Sequence, residues 1–176
     1  YNINNQLQKV QIMYDEIFND EEMIKLQNLL RTHNKTITAA ESCTGGLVAS
    51  MITKISGSSD IFNGSIVTYS NKIKNQELNV KNETLNSFGA VSFEVVNEML
   101  DGVIKKFDAD FAIAISGIAG PTGETKNKSV GTVVIGICDS NAHKYVLTHH
   151  FKGTREEVQI QAAKTSFKGI LKFIQK

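Results

Sequence analysis

The sequence is short of the residues that mark several protein classes. Its 176 residues contain two cysteines, one proline and no tryptophan. Two cysteines do not make a disulfide framework, and Cys43 and Cys138 lack the spacing of metal ligands. A chain of this length can bury about two-thirds of its unfolded surface, so we expect it to fold without disulfides or a metal ion.

The chain also lacks a large excess of charge of one sign and any long apolar run. The 19 Lys and Arg residues against 18 Asp and Glu residues leave a net charge of +1, which gives no reason to expect nucleic acid or a membrane surface as a partner. The longest near-continuous apolar stretch, Phe111 to Ile118, is far shorter than the ~20 residues that span a bilayer. Residues 1–20 are polar and carry no secretory h-region. We therefore expect a globular, cytoplasmic protein.

The order of apolar patterns predicts an α/β fold. Helical spacing alternates with short β-branched runs in the first two-thirds of the chain, and two adjacent strand-like runs stand near its end. This order predicts a layered sandwich with a mixed, mainly parallel sheet flanked by helices and a C-terminal antiparallel strand pair. The predicted strands cover residues 36–40, 62–69, 111–116, 130–138 and 143–151.

Capping residues predict where several helices begin. Asn19 or Asp20, Ser92 and Thr154 each precede an apolar helical pattern, and a short helix is predicted over residues 82–88. Residues 21–176 are predicted to form one domain. Residues 1–20 are predicted to be an N-terminal appendage, helical or partly ordered.

Two polar, glycine-rich turns follow predicted buried strands. The first, Ser42-Cys43-Thr44-Gly45-Gly46, leads into a helix, and its N–H groups are candidates for an anion or oxyanion site. The second runs from residue 116 to 123, where glycines permit close approach of a ligand. Ligands of open α/β sheets bind at the carboxyl ends of strands, so the turns predict a pocket for a small, partly anionic molecule. Neither turn has the Rossmann or Walker pattern of a dinucleotide or NTP site.

Ser42 has two interpretations at this point, helix N-cap or nucleophile. A serine hydroxyl needs a base to react at neutral pH. The four histidines are not well placed along the sequence, so a Ser-His-Asp site is not expected: His33, His143, His149 and His150.

A lysine base and a cysteine nucleophile remain open. The segment that begins at Tyr69 offers Lys72 and Lys74, either of which could deprotonate a serine if burial lowered its pKa. The same segment also fits a solvated strand end. Cys43 is a competing nucleophile near a helix start, and it equally fits a small buried core residue.

Six motifs in order resemble the CinA C-terminal domain family, whose members are also called nicotinamide mononucleotide deamidases or nicotinamide-nucleotide amidohydrolases. The resemblance covers about residues 21–176. The motifs are Ala40-Glu41-Ser42-Cys43-Thr44-Gly45-Gly46, Gly57-Ser58-Ser59, Val67-Thr68-Tyr69-Ser70-Asn71 with Lys74, Gly89-Ala90-Val91-Ser92, Ser116-Gly117-Ile118-Ala119-Gly120-Pro121 and Val130-Gly131-Thr132-Val133.

The resemblance implies an activity and three catalytic residues. The activity is hydrolysis of the carboxamide of nicotinamide mononucleotide to nicotinate mononucleotide and ammonia, within pyridine nucleotide salvage. No metal ion or organic cofactor is implied, the partner is a small-molecule nucleotide, and the family suggests a homodimer. The catalytic serine matches Ser42 and the tyrosine matches Tyr69. The lysine matches Lys74 rather than Lys72, because the family places it five residues after the tyrosine.

The resemblance also implies roles around the substrate. Tyr69 would hydrogen-bond the lysine or relay a proton to the leaving ammonia. Backbone N–H groups of the first turn would hold the oxyanion, and a hydroxyl of the second turn would lie near the substrate. An arginine near Thr154 is the candidate for the 5′-phosphate. These substrate-binding candidates are Thr44, Gly45, Gly46, Ser116, Gly117 and Arg155.

The chain departs from the family pattern at several positions. Thr154 replaces an aspartate, Gln159 stands where the family often has a second arginine, Glu124 replaces a glycine and Ser129 a proline. These changes flank the expected pocket and would weaken phosphate binding or alter substrate choice.

Two other functions stay open. The chain could be a non-catalytic ligand-binding or assembly module of a competence/damage-inducible protein of the CinA type, or it could deamidate a related amide. A module without activity would tolerate loss of Ser42 or Lys74, so the presence of both favours the enzyme.

Overall fold

Helices and strands alternate at first, and then three consecutive helices, three consecutive strands and a last helix follow. A computed structural model describes residue 8 and residues 14–176, and none of the helices in this part is long and apolar enough to cross a membrane. The helices are α1 (Asp20–Thr32), α2 (Leu47–Thr53), α3 (Asn71–Leu78), α4 (Asn82–Phe88), α5 (Phe93–Lys106) and α6 (Arg155–Ile174). The strands are β1 (Ile37–Glu41), β2 (Ile66–Val67), β3 (Phe111–Gly117), β4 (Thr132–Asp139) and β5 (Lys144–His150).

The five strands form one mixed sheet in the order β2-β1-β3-β4-β5. Three of them, β2, β1 and β3, run parallel, whereas β4 is antiparallel to β3 and β5 to β4. This arrangement confirms the predicted layered α/β fold with a C-terminal antiparallel pair. It also brings the carboxyl ends of the three parallel strands to one edge of the sheet.

Helices cover the two faces of the sheet and enclose two apolar cores. Successive residues of a strand point to opposite faces, so Ala39 of β1 enters one core and its neighbour Ala40 enters the other. The first core is closed by α1, α2 and α6 and includes Leu26, Ile52 and Phe167. The second is closed mainly by α3 and α5.

The predicted caps begin the helices as expected. Asn19 caps α1, Ser92 caps α5 and Thr154 caps α6, each by accepting a backbone N–H from the first turn. At Thr154 the Glu157 carboxylate reaches back to the cap N–H, which completes a capping box. This cap fixes where α6 meets the sheet edge.

The segment between α2 and α3 differs from its prediction. The strand expected over residues 62–69 is wrong for most of its length, since only Ile66–Val67 pairs with β1. The carbonyl oxygen of Gly64 instead accepts the hydroxyl of Thr38. Helix α3 follows, with Ser70 as its N-cap, and was not predicted. Lys74 therefore lies on a helix and not on a strand end.

Part of the predicted appendage packs on the domain. Tyr14 and Phe18 are buried, and the ring of Phe18 stacks on that of Phe167 at 5.4 Å. Lys164 Nζ lies 2.7 Å from a carboxylate oxygen of Asp15. The rest of the appendage up to residue 13, residue 8 aside, lies outside the described residues.

Candidate active site

The two glycine-rich turns and the segment after β2 meet at one edge of the sheet. The N–H of Ser42 donates to the Ile115 carbonyl at 3.0 Å and so continues the β1–β3 ladder past its end. On the other side, the N–H of Thr68 donates to the Glu41 carbonyl at 2.8 Å. Ser42 thus lies between the end of β2 and the end of β3.

Ser42 and Lys74 form a buried pair. Lys74 Nζ lies 2.9 Å from Ser42 Oγ and donates to the Thr68 carbonyl at 2.7 Å. Lys74 is 1% exposed and Ser42 is 8% exposed. Lys72 is exposed on the same helix, so the structure distinguishes the two lysines that local sequence left open.

Burial prepares Lys74 to act as a base. Loss of hydration disfavours the ammonium and lowers the pKa of Lys74 to about 8. About one-tenth of such a group is neutral at pH 7. A neutral amine has two N–H groups and one lone pair. The Thr68 carbonyl accepts one N–H, and the lone pair can accept the proton of Ser42 Oγ.

Glu41 anchors the first turn, a role that sequence reasoning missed. Its side chain is 0% exposed, and its carboxylate accepts the N–H groups of Gly46 at 3.2 Å, Val48 at 2.9 Å and Ala49 at 3.1 Å. Glu41 therefore caps α2, so the interpretation of Ser42 as the N-cap is wrong. Gly46 itself has φ +102°, a conformation that favours glycine.

The expected oxyanion donors need a correction. The N–H of Gly45 donates to the Ser42 carbonyl, and that of Gly46 to Glu41, so both have acceptors within the turn. The N–H of Thr44 has no acceptor among residue 8 and residues 14–176. The Thr44 hydroxyl is also buried without a partner there. The N–H of Cys43 likewise has no acceptor in this part of the chain, so Cys43 and Thr44 are the residues of the turn with hydrogen-bonding capacity left for a ligand.

Cys43 is a core residue. Its side chain packs with the apolar residues between the sheet and α2. Burial raises the pKa of the Cys43 thiol to about 12, so the reactive thiolate is scarce at neutral pH. The competing interpretation of Cys43 as a nucleophile is therefore not supported.

Tyr69 and Arg155 contact each other. Arg155 donates from Nη2 to the Tyr69 hydroxyl at 2.8 Å and from Nη1 to the Gly120 carbonyl at 2.9 Å. Tyr69 is 59% exposed. Its hydroxyl lies against Arg155, whereas Lys74 Nζ bonds Ser42 and Thr68, so the expected contact of Tyr69 with the lysine is corrected.

The position of Arg155 follows from the strand order. Tyr69 follows β2, Gly120 follows β3, and β1 lies between these two strands. A side chain that bonds both Tyr69 and Gly120 therefore crosses the end of β1, where Ser42 stands. Arg155 places a permanent positive charge at the mouth of the site.

Ser116 and Gly117 hold the second turn against its neighbours. Ser116 is buried, and its hydroxyl donates to the Ala90 carbonyl at 2.7 Å. A Cβ at Gly117 would lie 2.7 Å from Val133 Cγ2 and 3.0 Å from the Thr132 carbonyl, so only glycine fits. The hydroxyl proton of Ser116 is engaged, and its oxygen lone pairs remain as acceptors.

Gln159, which stands where the family resemblance implies a second arginine, contacts the turn that carries Ser42. Its Nε2 atom donates to the Cys43 carbonyl at 2.8 Å. Gln159 lies one helical turn after Arg155, so both residues face the same edge of the sheet. The first two turns of α6 thus contact all three loops around Ser42.

The histidines lie at other places in the described chain. The Nδ1 atom of His33 contacts the Leu29 carbonyl, His143 pairs with Asp139, and the ring of His149 stacks on Phe151. His150 Nδ1 lies 3.4 Å from Thr132 Oγ1. Within the described ranges, no cluster of three or more His, Cys, Asp or Glu side chains could hold a metal ion.

Sequence comparison relates the chain to one family. The model of the CinA C-terminal domain family matches residues 20–174. A CinA-like protein of Prochlorococcus marinus (strain MIT 9312) is 53% identical over 132 residues, which are 75% of this chain and 31% of that protein. A CinA-like protein of Syntrophomonas wolfei is 49% identical over 148 residues, 84% of this chain and 35% of that protein. The chain thus spans about a third of the length of these relatives.

Solved structures share the fold over nearly their whole length. A competence-damaged protein (CinA) superfamily protein from Klebsiella pneumoniae 700603 superimposes with a TM-score of 0.85 at 31% identity, covering 88% of this chain and 96% of that one. The competence/damage inducible protein CihA from Agrobacterium tumefaciens gives a TM-score of 0.82 at 34% identity, with 89% and 94% covered.

Proposed function

The chain belongs to the CinA C-terminal domain family, and on this premise we propose that it hydrolyses the carboxamide of nicotinamide mononucleotide to nicotinate mononucleotide and ammonia. The observation that carries the proposal is the 2.9 Å contact between Lys74 Nζ and Ser42 Oγ in a buried setting. A serine becomes a nucleophile when a neutral amine can take its proton. The lowered pKa of Lys74 supplies that amine near neutral pH.

In the acylation step, Ser42 Oγ attacks the carboxamide carbon while Lys74 Nζ takes the hydroxyl proton. The carbonyl oxygen becomes an oxyanion, and the Thr44 N–H is its donor. One such donor contributes roughly 3–4 kcal/mol to transition-state stabilisation in comparable sites. The Lys74 ammonium then gives its proton to the amide nitrogen, the carbon–nitrogen bond breaks, and ammonia leaves. An ester between Ser42 and the nicotinoyl group remains.

In the deacylation step, water attacks the ester carbon and Lys74 takes a proton from it. The ester bond breaks, Ser42 Oγ recovers a proton from Lys74, and nicotinate mononucleotide leaves. The same lysine thus serves as base and acid in both halves. Its carbonyl partner Thr68 keeps Nζ in place in either protonation state, because an ammonium and an amine both have an N–H to donate.

Arg155 is the proposed binding group for the 5′-phosphate. A guanidinium has five N–H donors, and its described contacts to Tyr69 and Gly120 use two of them. A phosphate prefers such a planar, permanently charged donor set. The Arg155→Met variant should therefore lose activity on nicotinamide mononucleotide, whereas any activity on the phosphate-free riboside should match that of the wild type.

Ammonia release from purified protein tests the proposal. The wild type should release ammonia from nicotinamide mononucleotide, and Ser42→Ala should release none. Ser50→Ala is the matched control, because Ser50 is an exposed serine on α2 and should leave the rate unchanged. A wild type that releases no ammonia from this or related nicotinamide nucleotides would contradict the enzyme and favour the non-catalytic module. The homodimer stays a prediction, which sedimentation would test.

A further inference from the structure

The side chain of Gln159 reaches the nucleophile turn from a distant part of the chain. Its Nε2 atom donates to the Cys43 carbonyl at 2.8 Å, although the two residues are 116 positions apart. Both partners are shielded, since Gln159 is half-buried and Cys43 is buried. The contact therefore joins α6 to the peptide unit immediately after Ser42.

The geometry of a peptide unit gives this contact a second consequence. The Cys43 carbonyl and the Thr44 N–H belong to the same planar trans unit, so they point in opposite directions. A hydrogen bond that fixes the carbonyl from the side of α6 fixes the direction of the N–H on the other side. It also polarises the unit, which makes the N–H a stronger donor.

Other peptide units of the turn have their own anchors. The unit after Thr44 is held because the Gly45 N–H donates to the Ser42 carbonyl, and the next unit because the Gly46 N–H donates to Glu41. Within the described chain, the Cys43–Thr44 unit has one hydrogen bond, the contact with Gln159. Among the described residues, the Gln159 side chain is therefore the anchor of this unit.

We propose that Gln159 is a positioning residue, which holds the Thr44 N–H toward the oxyanion that forms when Ser42 attacks an acyl or phosphonyl centre. The inference rests on the Ser42 mechanism proposed above and does not depend on which amide is the substrate. The family resemblance implies an arginine at this position in many members, and the proposal assigns the position a role in orienting the turn. An arginine has N–H donors that can reach the same carbonyl.

The rate at which a fluorophosphonate modifies Ser42 tests the proposal without a substrate. In that reaction the Ser42 Oγ–phosphorus bond forms, the phosphorus–fluorine bond breaks, fluoride leaves and Lys74 takes the proton. The phosphonyl oxygen occupies the place of the oxyanion. The test variant is Gln159→Met, which keeps the length of the side chain and removes the donor. Gln161→Met is the matched control, because Gln161 lies on the same helix and donates to the Lys152 carbonyl away from Ser42.

We expect Gln159→Met to slow modification by about 10- to 100-fold, since outright removal of an oxyanion donor costs about 10²–10³ in rate. Gln161→Met should react as the wild type does, and the two variants should unfold at similar temperatures. Gln159→Arg should restore the rate to within about threefold, because it restores a donor. With nicotinamide mononucleotide, Gln159→Met should lower kcat with little change in KM.

Several results would overturn the inference. They are a wild-type rate in Gln159→Met, equal losses in the Gln159→Met and Gln161→Met variants, and a wild-type Ser42 that does not react at all. The results differ if Gln159 has this role but nicotinamide mononucleotide is not the substrate. In that case Ser42 reacts with the fluorophosphonate, Gln159→Met slows it, and no ammonia is released from nicotinamide mononucleotide.

Discussion

Lys74 Nζ lies 2.9 Å from Ser42 Oγ, although 32 residues separate the two in the chain. The pair forms because β1 delivers Ser42 to the edge of the sheet and α3 packs Lys74 against it. The described hydrogen bonds of Lys74 Nζ go to Ser42 Oγ and to the Thr68 carbonyl. The reactivity of Ser42 therefore depends on the protonation state of one buried amine.

Lys74→Met should change how stability depends on pH. Burial lowers the pKa of Lys74 to about 8 in the folded protein, whereas an unfolded lysine titrates near 10.4. Below pH 8, Lys74 is protonated in both the folded and the unfolded protein, and the buried ammonium destabilises the folded state. As pH rises from about 8 to about 10.5, the folded chain loses its proton first, so the free energy of unfolding of the wild type increases by about 3 kcal/mol. The variant lacks this increase.

Urea denaturation of both proteins at pH 7 and pH 10 measures the difference. Lys72→Met is the control, because Lys72 is exposed on the same helix and should give the wild-type dependence. A difference between Lys74→Met and wild type that stays constant over this range would contradict a neutral amine in the fold.

Cys43→Ala should keep the activity. The thiol is buried with a pKa raised to about 12, and its side chain packs in the apolar core. We expect ammonia release within about threefold of wild type and a loss of about 1 kcal/mol in the free energy of unfolding from the lost sulfur. Steady-state kinetics and urea denaturation check the two expectations. A Cys43→Ala variant that folds but releases no ammonia would instead favour Cys43 as the nucleophile.

Glu41→Gln should destabilise the protein strongly. The buried carboxylate accepts three N–H groups, and an amide turns a donor toward at least one of them. We expect a loss of about 2–4 kcal/mol in the free energy of unfolding. Glu98→Gln is the matched control, because Glu98 is a more exposed carboxylate that accepts the Lys81 N–H, and its replacement should cost about 1 kcal/mol. Equal losses of unfolding free energy in Glu41→Gln and Glu98→Gln would contradict an added contribution of the burial of Glu41 to stability.

Tyr69→Phe should affect binding more than chemistry. The hydroxyl of Tyr69 bonds Arg155 and not Lys74, so its removal frees the guanidinium without touching the base. We expect KM for nicotinamide mononucleotide to change by about three- to tenfold, which corresponds to the net free energy of one hydrogen bond. The value of kcat should stay nearly constant. A loss confined to kcat would instead give Tyr69 a part in proton transfer.

The sequence predicts the regular elements well and the site in part. Apolar periodicity and capping residues predict α5 and α6, which bury one apolar face, and continuous apolar runs predict the central strands, which are buried on both faces. Helix α3 escapes prediction because its buried face is made of Lys74 and Leu78, and a lysine counts as polar in any hydrophobic pattern. The lowered pKa that accompanies the burial of Lys74 is a property of the folded site.

Two contacts around Ser42 cannot be predicted from the local sequence pattern. Glu41 stands on a strand and caps a helix that begins several residues later, so its carboxylate does not fit the spacing of a helix N-cap. Gln159 reaches Cys43 only because α6 starts at the sheet edge, where Thr154 caps it. Both depend on how distant elements are packed, and a pattern within one element cannot report that.

The pH dependence of kcat/KM for ammonia release tests the Ser42–Lys74 mechanism most directly. With nicotinamide mononucleotide as substrate, the account predicts that kcat/KM rises from about pH 6 and levels off above an apparent pKa of about 8, because only the neutral Lys74 amine accepts the Ser42 proton. A kcat/KM that is independent of pH between about 6 and 9, or that falls as Lys74 loses its proton, would contradict it.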